Sequence, residues 1–151
     1  PQKNTVFRLT STFACYHEQL NGKTVDITAE IPFDLPEGWY WYRLKNVIEL
    51  LSGRDLTHKI TIIKAGVIHH NGASNFDKSK LIINRWTDTP EVLSIPNDVL
   101  LTCKGTIGEI AINSVGEIHI ARQIMALRPS PSIIKDYLAT VLQSMINHIR
   151  S

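Results

Sequence analysis

The stretch DVLLTCKGTIGEIAINSV (residues 98–115) sets two glycines, Gly105 and Gly108, between two apolar runs. Short apolar runs joined by a glycine-containing segment are typical of two strands and the turn between them. Glycine suits such a turn because it adopts backbone angles that side chains resist. Lys104 and Thr106 carry groups that donate hydrogen bonds to phosphate, so the turn could also approach a nucleic-acid backbone. The stretch therefore predicts a β-hairpin and leaves its contact with phosphate open.

Known glycine loops that bind nucleotides or nucleic acids have a different pattern. A phosphate-binding P-loop has Lys directly after its last glycine and then a helix, whereas Lys104 precedes Gly105. A dinucleotide fingerprint needs three glycines opening a helix, and the G-x-x-G loop of a K-homology domain lies between helices. Both flanks of Gly105 and Gly108 have the pattern of strands, so none of these three sites is predicted.

Strand-like segments continue on both sides of this hairpin. Residues 59–70 and 80–86 are rich in β-branched residues, and the polar stretch between them begins with the turn dipeptide Asn-Gly. Residues 92–103 and 109–129 add further short strands, interrupted by turn residues. The sequence therefore predicts five or six strands, which follow a single short helix.

The short helix is predicted in WYWYRLKNVIELLSG (residues 39–53). Its four aromatic residues, 39–42, alternate as in a strand, and apolar residues then recur at helical spacing until Ser52-Gly53. An amphipathic helix must bury its apolar face, so the aromatic residues that lead into it are interpreted as core anchors rather than as platforms for stacked bases. The apolar residues with helical spacing are Leu44, Val47, Ile48 and Leu51.

A second helix is predicted at the end of the chain, in SIIKDYLATVLQSMINHIRS (residues 132–151). Ser130 or Ser132 is expected to cap its N-terminus. One apolar row steps by four, three, four and four, and a neighbouring row widens it. A helix with so broad an apolar surface requires a partner, either the core of this domain or a second helix in a coiled coil. The first row consists of Ile134, Leu138, Val141, Met145 and Ile149.

Charge is distributed unevenly along the chain. The 151 residues have a net charge of only +2, which by itself does not indicate a nucleic-acid partner. Residues 26–37 contain four acidic side chains and no Lys or Arg, whereas residues 54–85 contain six Lys or Arg and two acidic side chains. The basic segment fits a surface that faces a polyanion, or a solvated face of mixed charge.

Residues for catalysis, a metal or a cofactor are not evident. The only cysteines, Cys15 and Cys103, form no C-x-x-C pair, and no secretory signal is seen, so a reduced, cytoplasmic setting is expected. No apolar run is long enough to span a membrane. His69 and His70 are adjacent and would point to opposite faces of a strand, which does not suit a metal site. The sequence predicts no cofactor, and an inert thiol rather than a cysteine nucleophile.

Three segments, taken in order, resemble one protein family. IPFDLPEGWYWYRLKNVIELLSGRDL (residues 31–56) has an acidic lead-in, Pro-Glu-x-Trp, alternating aromatic residues and Arg-Leu before Ser-Gly. IPNDVLLTCKGTIGEIAI (residues 95–112) has an apolar strand that enters a Gly-Thr-x-Gly turn. HIARQIMALRPSPSIIKDYLATVLQS (residues 119–144) has a strand ending in Leu-Arg-Pro before a helix with Tyr-Leu. Together they resemble a target-recognition domain of the DNA specificity subunit of type I restriction-modification systems.

The pattern and the resemblance together predict an α+β (mixed α/β) fold. We expect a twisted, mostly antiparallel, multi-stranded sheet with a short helix on its N-terminal side and a long C-terminal helix that begins a coiled-coil spacer. The expected division is a lead-in segment (residues 1–30), a DNA target-recognition domain (residues 31–132) and the start of the spacer helix (residues 133–151).

The resemblance implies recognition without bond chemistry. Each recognition domain of such a subunit reads one half of a bipartite DNA site, while separate subunits methylate adenine and cleave DNA. The implied partners are double-stranded DNA, the methyltransferase (modification) subunits, the restriction subunit and a coiled-coil partner helix, with no membrane. The competing interpretation is a non-enzymatic protein-interaction module that docks through its C-terminal helix.

The DNA-binding surface is predicted mainly in residues 54–85, the basic segment that least resembles the family pattern. Lys and Arg would contact phosphates, while amide and guanidinium groups would read adenine or guanine edges. The candidate DNA-binding residues are Arg54, Lys59, Lys64, His69, His70, Asn71, Asn75, Lys78, Lys80, Asn84, Arg85, Lys104 and Thr106.

Overall fold

The computed structural model describes residues 5–10, 14–20, 22–57 and 66–150. Two of the candidate DNA-binding residues, Lys59 and Lys64, lie outside the described residues. Contacts divide the chain into two compact units, Pro1–Asn46 and Val47–Ser151. Each unit has its own sheet structure and its own core, so we describe them separately.

The first unit contains a three-stranded antiparallel sheet in the order β1-β2-β3. The register pairs Thr5 with Gln19 and His17 with Asp26. Residues 7–10 and 14–20 therefore belong to two paired strands. These elements are β1 (Thr5–Thr10), β2 (Ala14–Leu20), β3 (Lys23–Asp26) and 3-10 turns at Thr28–Glu30 and Leu44–Asn46.

A small core in the first unit is formed by Tyr16 and Ile27, against which Trp41 packs. The interpretation of all four aromatic residues 39–42 as core anchors is wrong. Trp39 is 58% exposed, Tyr40 67% and Tyr42 60%. The expected alternation required a strand, but residues 39–42 belong to no strand within the described part of the chain, and of the four only Trp41 packs against this core.

An ion-pair network closes the first unit. The guanidinium of Arg43 donates to Glu18 at 2.6 Å and to Glu30 at 2.8 Å. These two carboxylates raise the pKa of Arg43, since they stabilise its charged form. Glu18 is buried, so its pairing with Arg43 avoids leaving an uncompensated charge in the interior.

The second unit begins with a correction to the prediction. The helix expected at residues 44–51 is absent: after the 3-10 turn, Ile48–Ser52 forms a strand, β4. This strand pairs antiparallel with the last strand of the chain, from Ile48 opposite Pro129 to Ser52 opposite Met125. Pairing with a strand far along the chain satisfies the backbone of β4, and this non-local interaction overrides the helical spacing of its apolar residues.

The main sheet of the second unit is fully antiparallel, in the order β11-β10-β13-β4. Two of its strands form the predicted hairpin, in which Val99 pairs with Ile112 and Leu101 with Ile110. The prediction of a hairpin at residues 98–115 is thus confirmed. Its strands are β10 (Val99–Thr102), β11 (Ile110–Ile112) and β13 (Ile124–Pro129).

A second sheet has the order β8-β5-β12-β9. Its β5 and β12 run parallel, with His69 beside His119, and its other pairings are antiparallel. The expectation of a mostly antiparallel mixed fold is confirmed. The remaining strands are β5 (Val67–His70), β6 (Phe76–Asp77), β7 (Lys80–Leu81), β8 (Trp86–Thr87), β9 (Leu93–Ser94) and β12 (Ile118–Ile120), with a 3-10 turn at Ala73–Asn75.

Strand β10 contributes to two cores because successive side chains point to opposite faces. Val99 and Leu101 face the C-terminal helices, whereas Leu100 packs with Ile118 and Ile120 of the second sheet. The main sheet is therefore covered on both faces. This explains why the residues of β10 are buried without a break.

The C-terminal segment is two helices, not one long helix. Helix α1 spans Lys135–Ser144 and α2 spans Ile146–Arg150, with Met145 between them. Leu138, Leu142 and Ile146 pack on the main sheet. The serine cap is also wrong: the N-cap residue is Ile134, without a side-chain hydrogen bond, and the Ser130 hydroxyl instead accepts the N–H of Ser132. Four apolar side chains stay exposed: Ile134, Tyr137, Met145 and Ile149.

Candidate nucleic-acid interface

One turn, residues 121–123 between β12 and β13, gathers the ends of several strands. The N–H of Arg54, after β4, donates to the carbonyl of Ile120 at 3.0 Å. The carbonyl of His70, at the end of β5, accepts the N–H of Ala121 at 2.9 Å. The N–H of Cys103, after β10, donates to the carbonyl of Gln123 at 2.8 Å. The residues that follow these strands therefore come together around this turn.

We call this region the strand-end surface and define it as Arg54, Asp55, Asn71, Lys104 and Arg122. Arg54, Lys104 and Arg122 are exposed, and Asn71 is half-buried. The glycine before Arg54 is required by close packing, since a Cβ on Gly53 would lie 2.2 Å from the carbonyl oxygen of Ala121. This close approach brings Arg54 beside the turn.

Arg122 is a basic residue of this surface that was not among the predicted DNA-binding residues. Its Nε lies 2.7 Å from Asp55 Oδ2, and its N–H donates to Asp55 Oδ1 at 3.3 Å. A usable signal was its position in a short polar turn between two apolar strands. Within the described ranges, Arg54 and Lys104 are in no ion pair, so their charges are free to meet an anion.

The hairpin turn carries Lys104 and Thr106 in the open. Gly105 and Gly108 have φ of +72° and +94°, the left-handed region that glycine tolerates. A Cβ at Gly105 would meet nothing within 4 Å, whereas one at Gly108 would lie 2.6 Å from the side chain of Ile146. Gly105 is therefore needed only for the backbone angles of the turn. Gly108 is needed for these angles and also leaves room for the Ile146 side chain of α2.

The C-terminal helix α2 places a basic side chain beside this turn. Arg150 Nε donates to the carbonyl of Ile107 at 2.8 Å. Arg150 lies at the end of the sequence, and only the packing of α2 brings it to the turn, so no local pattern could have identified it. Lys104 and Arg150 give the turn a positive character.

Asn75 is not a surface residue, contrary to the prediction. It is 1% exposed. Its Oδ1 accepts the N–H of Asn71 at 2.9 Å, and its Nδ2 donates to the Ile82 carbonyl and to Asn84 Oδ1, each at 3.1 Å. These three hydrogen bonds are all made within the protein, and they hold Asn71 and the exposed Asn84 near each other.

His69 and His70 are also removed from the candidate interface by burial, at 1% and 0% exposed. They do point to opposite faces as predicted for a strand, but both faces are covered. Burial, helped by repulsion from His119 and Arg85, lowers the pKa of His69 to about 4. Burial and the neighbouring His69 lower the pKa of His70 to about 4.

The other candidates lie apart from the 121–123 turn. Lys78 and Lys80 are exposed on the β6–β7 hairpin, whose residue Ser79 lines a groove together with Thr140 and Gln143 of α1. Arg85 is exposed beside β5, where its carbonyl accepts the N–H of His69 at 2.9 Å. The structure thus brings Arg54, Asn71 and Lys104 together and leaves the two lysines on a separate hairpin.

Groups for metal binding or nucleophilic chemistry were also sought. Across residues 5–10, 14–20, 22–57 and 66–150, no group of three His, Cys, Asp or Glu side chains is arranged to hold a metal ion. Cys103 is a free thiol whose Sγ lies 3.4 Å from the carbonyl oxygen of Gln123. Burial raises the pKa of this thiol, which disfavours the reactive thiolate. No helix within the described part is long and apolar enough to cross a membrane.

Comparison with known proteins identifies the fold. Neither a protein-family profile nor a curated protein matches the sequence. The HsdS subunit from Thermoanaerobacter tengcongensis, in its crystal structure, matches 78% of this chain with a TM-score of 0.73 and 24% sequence identity. The chain has the fold of HsdS. The match covers 30% of the HsdS chain, so the protein described here spans less than a third of the length of that subunit.

A second HsdS-type match has the same values. It comes from a study of complex assembly and conformational transition of the type I R-M system, with a TM-score of 0.73, 24% identity, and coverage of 78% of this chain and 30% of that chain. The fold expected from the three sequence segments, that of a type I specificity subunit, is therefore confirmed.

Proposed function

We propose that this chain is a DNA target-recognition domain of a type I specificity subunit and reads one half of a bipartite site. The observation that carries this proposal is the strand-end surface, where three exposed basic side chains cluster on an HsdS fold, two of them in no ion pair within the described residues. The domain contributes recognition, and methylation and cleavage reside in the modification and restriction subunits. It acts in the cytoplasm, where its two cysteines remain thiols.

Phosphate contacts are assigned to the exposed basic residues. Arg54 and Lys104 flank the 121–123 turn, and the hydroxyl of Thr106 is exposed next to Lys104. Lys and Arg bound to phosphates orient a protein on duplex DNA without reading its sequence. Lys78 and Lys80 add charge from the β6–β7 hairpin, and Lys59 and Lys64 remain candidates in residues 58–65.

Base reading is assigned to Asn71, Asn84 and Arg85. Asn pairs with two groups of adenine, and Arg with two acceptors of guanine, which gives each about 1–3 kcal/mol of discrimination. Asn75 supports this reading indirectly, since it bonds to both Asn71 and Asn84. Few such contacts are available in one domain, so the isolated chain binds its half-site weakly and with strong salt dependence.

A second role, docking to partner subunits, is favoured by the exposed apolar side chains of the C-terminal helices. Ile134 is 71% exposed and Tyr137 51%, while Leu138 and Leu142 are already buried on the sheet. The sheet therefore occupies one side of the helix and leaves a second apolar row for a coiled-coil partner helix. The modification and restriction subunits are the proposed assembly partners.

Selection from a pool of random DNA duplexes tests the proposed function. Enrichment of one recurrent half-site, with binding that weakens steeply as salt rises, is the expected result. An Arg85→Ala variant should relax the preference at one base position, whereas Lys104→Ala should weaken binding to all sequences alike. Binding without any preferred sequence would leave only the protein-docking role.

A further inference from the structure

His119 lies fully buried behind the strand-end surface and uses both of its ring nitrogens. Nδ1 accepts the N–H of Glu91 at 3.1 Å and the N–H of Val92 at 3.3 Å. Because Nδ1 accepts, the ring proton belongs on Nε2, which lies 3.0 Å from the carbonyl oxygen of Arg54. The contacts are satisfied only by a neutral imidazole with its proton on Nε2.

We propose that His119 is a positioning residue for DNA recognition: it fixes the backbone at Arg54 so that the strand-end surface keeps the arrangement that contacts phosphate. The inference rests on the proposed function. His119 would touch no DNA and would act through the backbone at Arg54.

The hydrogen bonds around Arg54 support this role. Residues 53–57 follow β4 but belong to no strand. The Arg54 backbone is held on one side by the Ile120 carbonyl and on the other by the imidazole of His119. The next residue, Asp55, in turn holds Arg122. The imidazole therefore fixes Arg54 directly, and it fixes Arg122 indirectly through Asp55.

A neighbouring histidine shows that burial alone does not account for these contacts. His70 is as completely buried as His119, yet within the described part of the chain neither of its ring nitrogens has a hydrogen-bond partner. His70 fills space, whereas His119 joins β12 to the segments at residues 54 and 91–92. The pair offers a matched comparison within one sheet.

Protonation would break this arrangement. A second proton on Nδ1 would face the N–H groups of Glu91 and Val92 instead of accepting from them. His69 stacks on His119 with ring centroids 5.1 Å apart, so a charge on either ring disfavours a charge on the other. Burial lowers the pKa of His119, against the Arg54 carbonyl and the carboxylates of Glu91 and Asp55, which favour the charged form.

Two other charged groups face the stacked pair. Arg85 repels a proton on His69, and Asp55 attracts one. His69 in turn disfavours a proton on its neighbour His70. The arrangement is therefore neutral at neutral pH, and acid strong enough to protonate His119 is expected to release the backbone at Arg54, while exposed arginine and lysine side chains keep their charge.

Two substitutions separate the two edges of the ring in the full chain. In His119→Gln the side-chain amide lies where histidine has Nε2, so a donor for the Arg54 carbonyl is kept. In His119→Asn the amide lies where histidine has Nδ1, so that donor is lost. On the duplex selected above, we expect His119→Asn to bind about tenfold more weakly and His119→Gln to stay near the parent. The salt slope of His119→Asn should fall by about 0.9, the loss of one phosphate contact.

A double-mutant cycle assigns the effect to Arg54. Arg54→Ala should lower the affinity and slope similarly, and adding His119→Asn to Arg54→Ala should cause no further loss. His70→Asn, the matched control, should leave the slope unchanged. Additive losses, or an equal loss of slope in His70→Asn, would overturn the positioning role while the parent still selects its half-site. A parent without selection overturns the proposed function instead.

If the variants do not fold, the tautomer of His119 can still be measured in the parent protein. Nitrogen NMR of the histidine rings should report His119 as the tautomer protonated on Nε2 at about pH 7. A proton on Nδ1, or a charged ring at that pH, would contradict the inference whatever the variants do.

Discussion

The buried histidines make the stability of this fold depend on pH between about 4 and 6.5. His69 and His70 have ordinary pKa values of 6.5 when unfolded, and burial lowers both to about 4. In this interval the unfolded chain binds more protons than the folded one, so the free energy of unfolding falls as the pH falls. The part of the free energy of unfolding that depends on these neutral histidines is fully present above pH 6.5 and is lost as the pH falls towards 4.

The size of the effect follows from the two pKa values. Moving from about pH 7.5 to about pH 5 should cost about 2 kcal/mol for each of the two histidines, as an upper bound for a pair that repel each other. Most carboxylates titrate below this interval, so they contribute little there. We therefore expect a loss of about 2–4 kcal/mol in a domain whose total stability is about 5–15 kcal/mol.

Urea unfolding at several pH values, followed by circular dichroism, measures this loss. His70→Leu should reduce the pH dependence, since one of the three buried histidines with a lowered pKa no longer titrates. A parent whose free energy of unfolding is flat from about pH 7.5 to about pH 5 would refute the reasoning.

Three further predictions concern packing and DNA contact. Gly108→Ala should destabilise the chain by about 1–3 kcal/mol more than Gly105→Ala in urea unfolding, because only at Gly108 does a new Cβ meet Ile146; equal losses would contradict this. Leu138→Ala should cost about 2–5 kcal/mol in the same assay by opening a cavity between α1 and the sheet, and a loss below this range would mean that the helix is not packed there. Lys104→Ala should reduce the salt slope of duplex binding by about 0.9 without changing the preferred sequence; an altered preference would show that Lys104 reads bases.

The hairpin at residues 98–115 was predictable because its evidence is local. Gly105 and Gly108 mark the turn, and the apolar runs beside them are close enough along the chain to pair with each other. The helix expected at residues 44–51 failed for the opposite reason. Strand β4 depends on β13, about 75 residues further along, and a pairing at that separation leaves no mark in the local spacing.

The candidate site was predictable only in its residue types. The basic segment 54–85 did contain exposed Arg54, Lys78, Lys80 and Arg85, but the same segment supplies buried histidines and Asn75. A polar residue in a strand covered on both faces is buried whatever its affinity for DNA, and the covering layers come from other parts of the sequence. Arg122 does lie in a polar turn that the sequence shows, but its pairing with Asp55, far away along the chain, leaves no local signal.

The close contact at Gly108 couples the end of the chain to the hairpin turn. Ile146 fills the space beside this glycine, and Arg150 binds the carbonyl of the residue before it. A shift of α2 along the sheet would carry the turn with it, and Lys104 lies in that turn. A force applied to the C-terminal helices would therefore be transmitted to the turn and would change the position of Lys104.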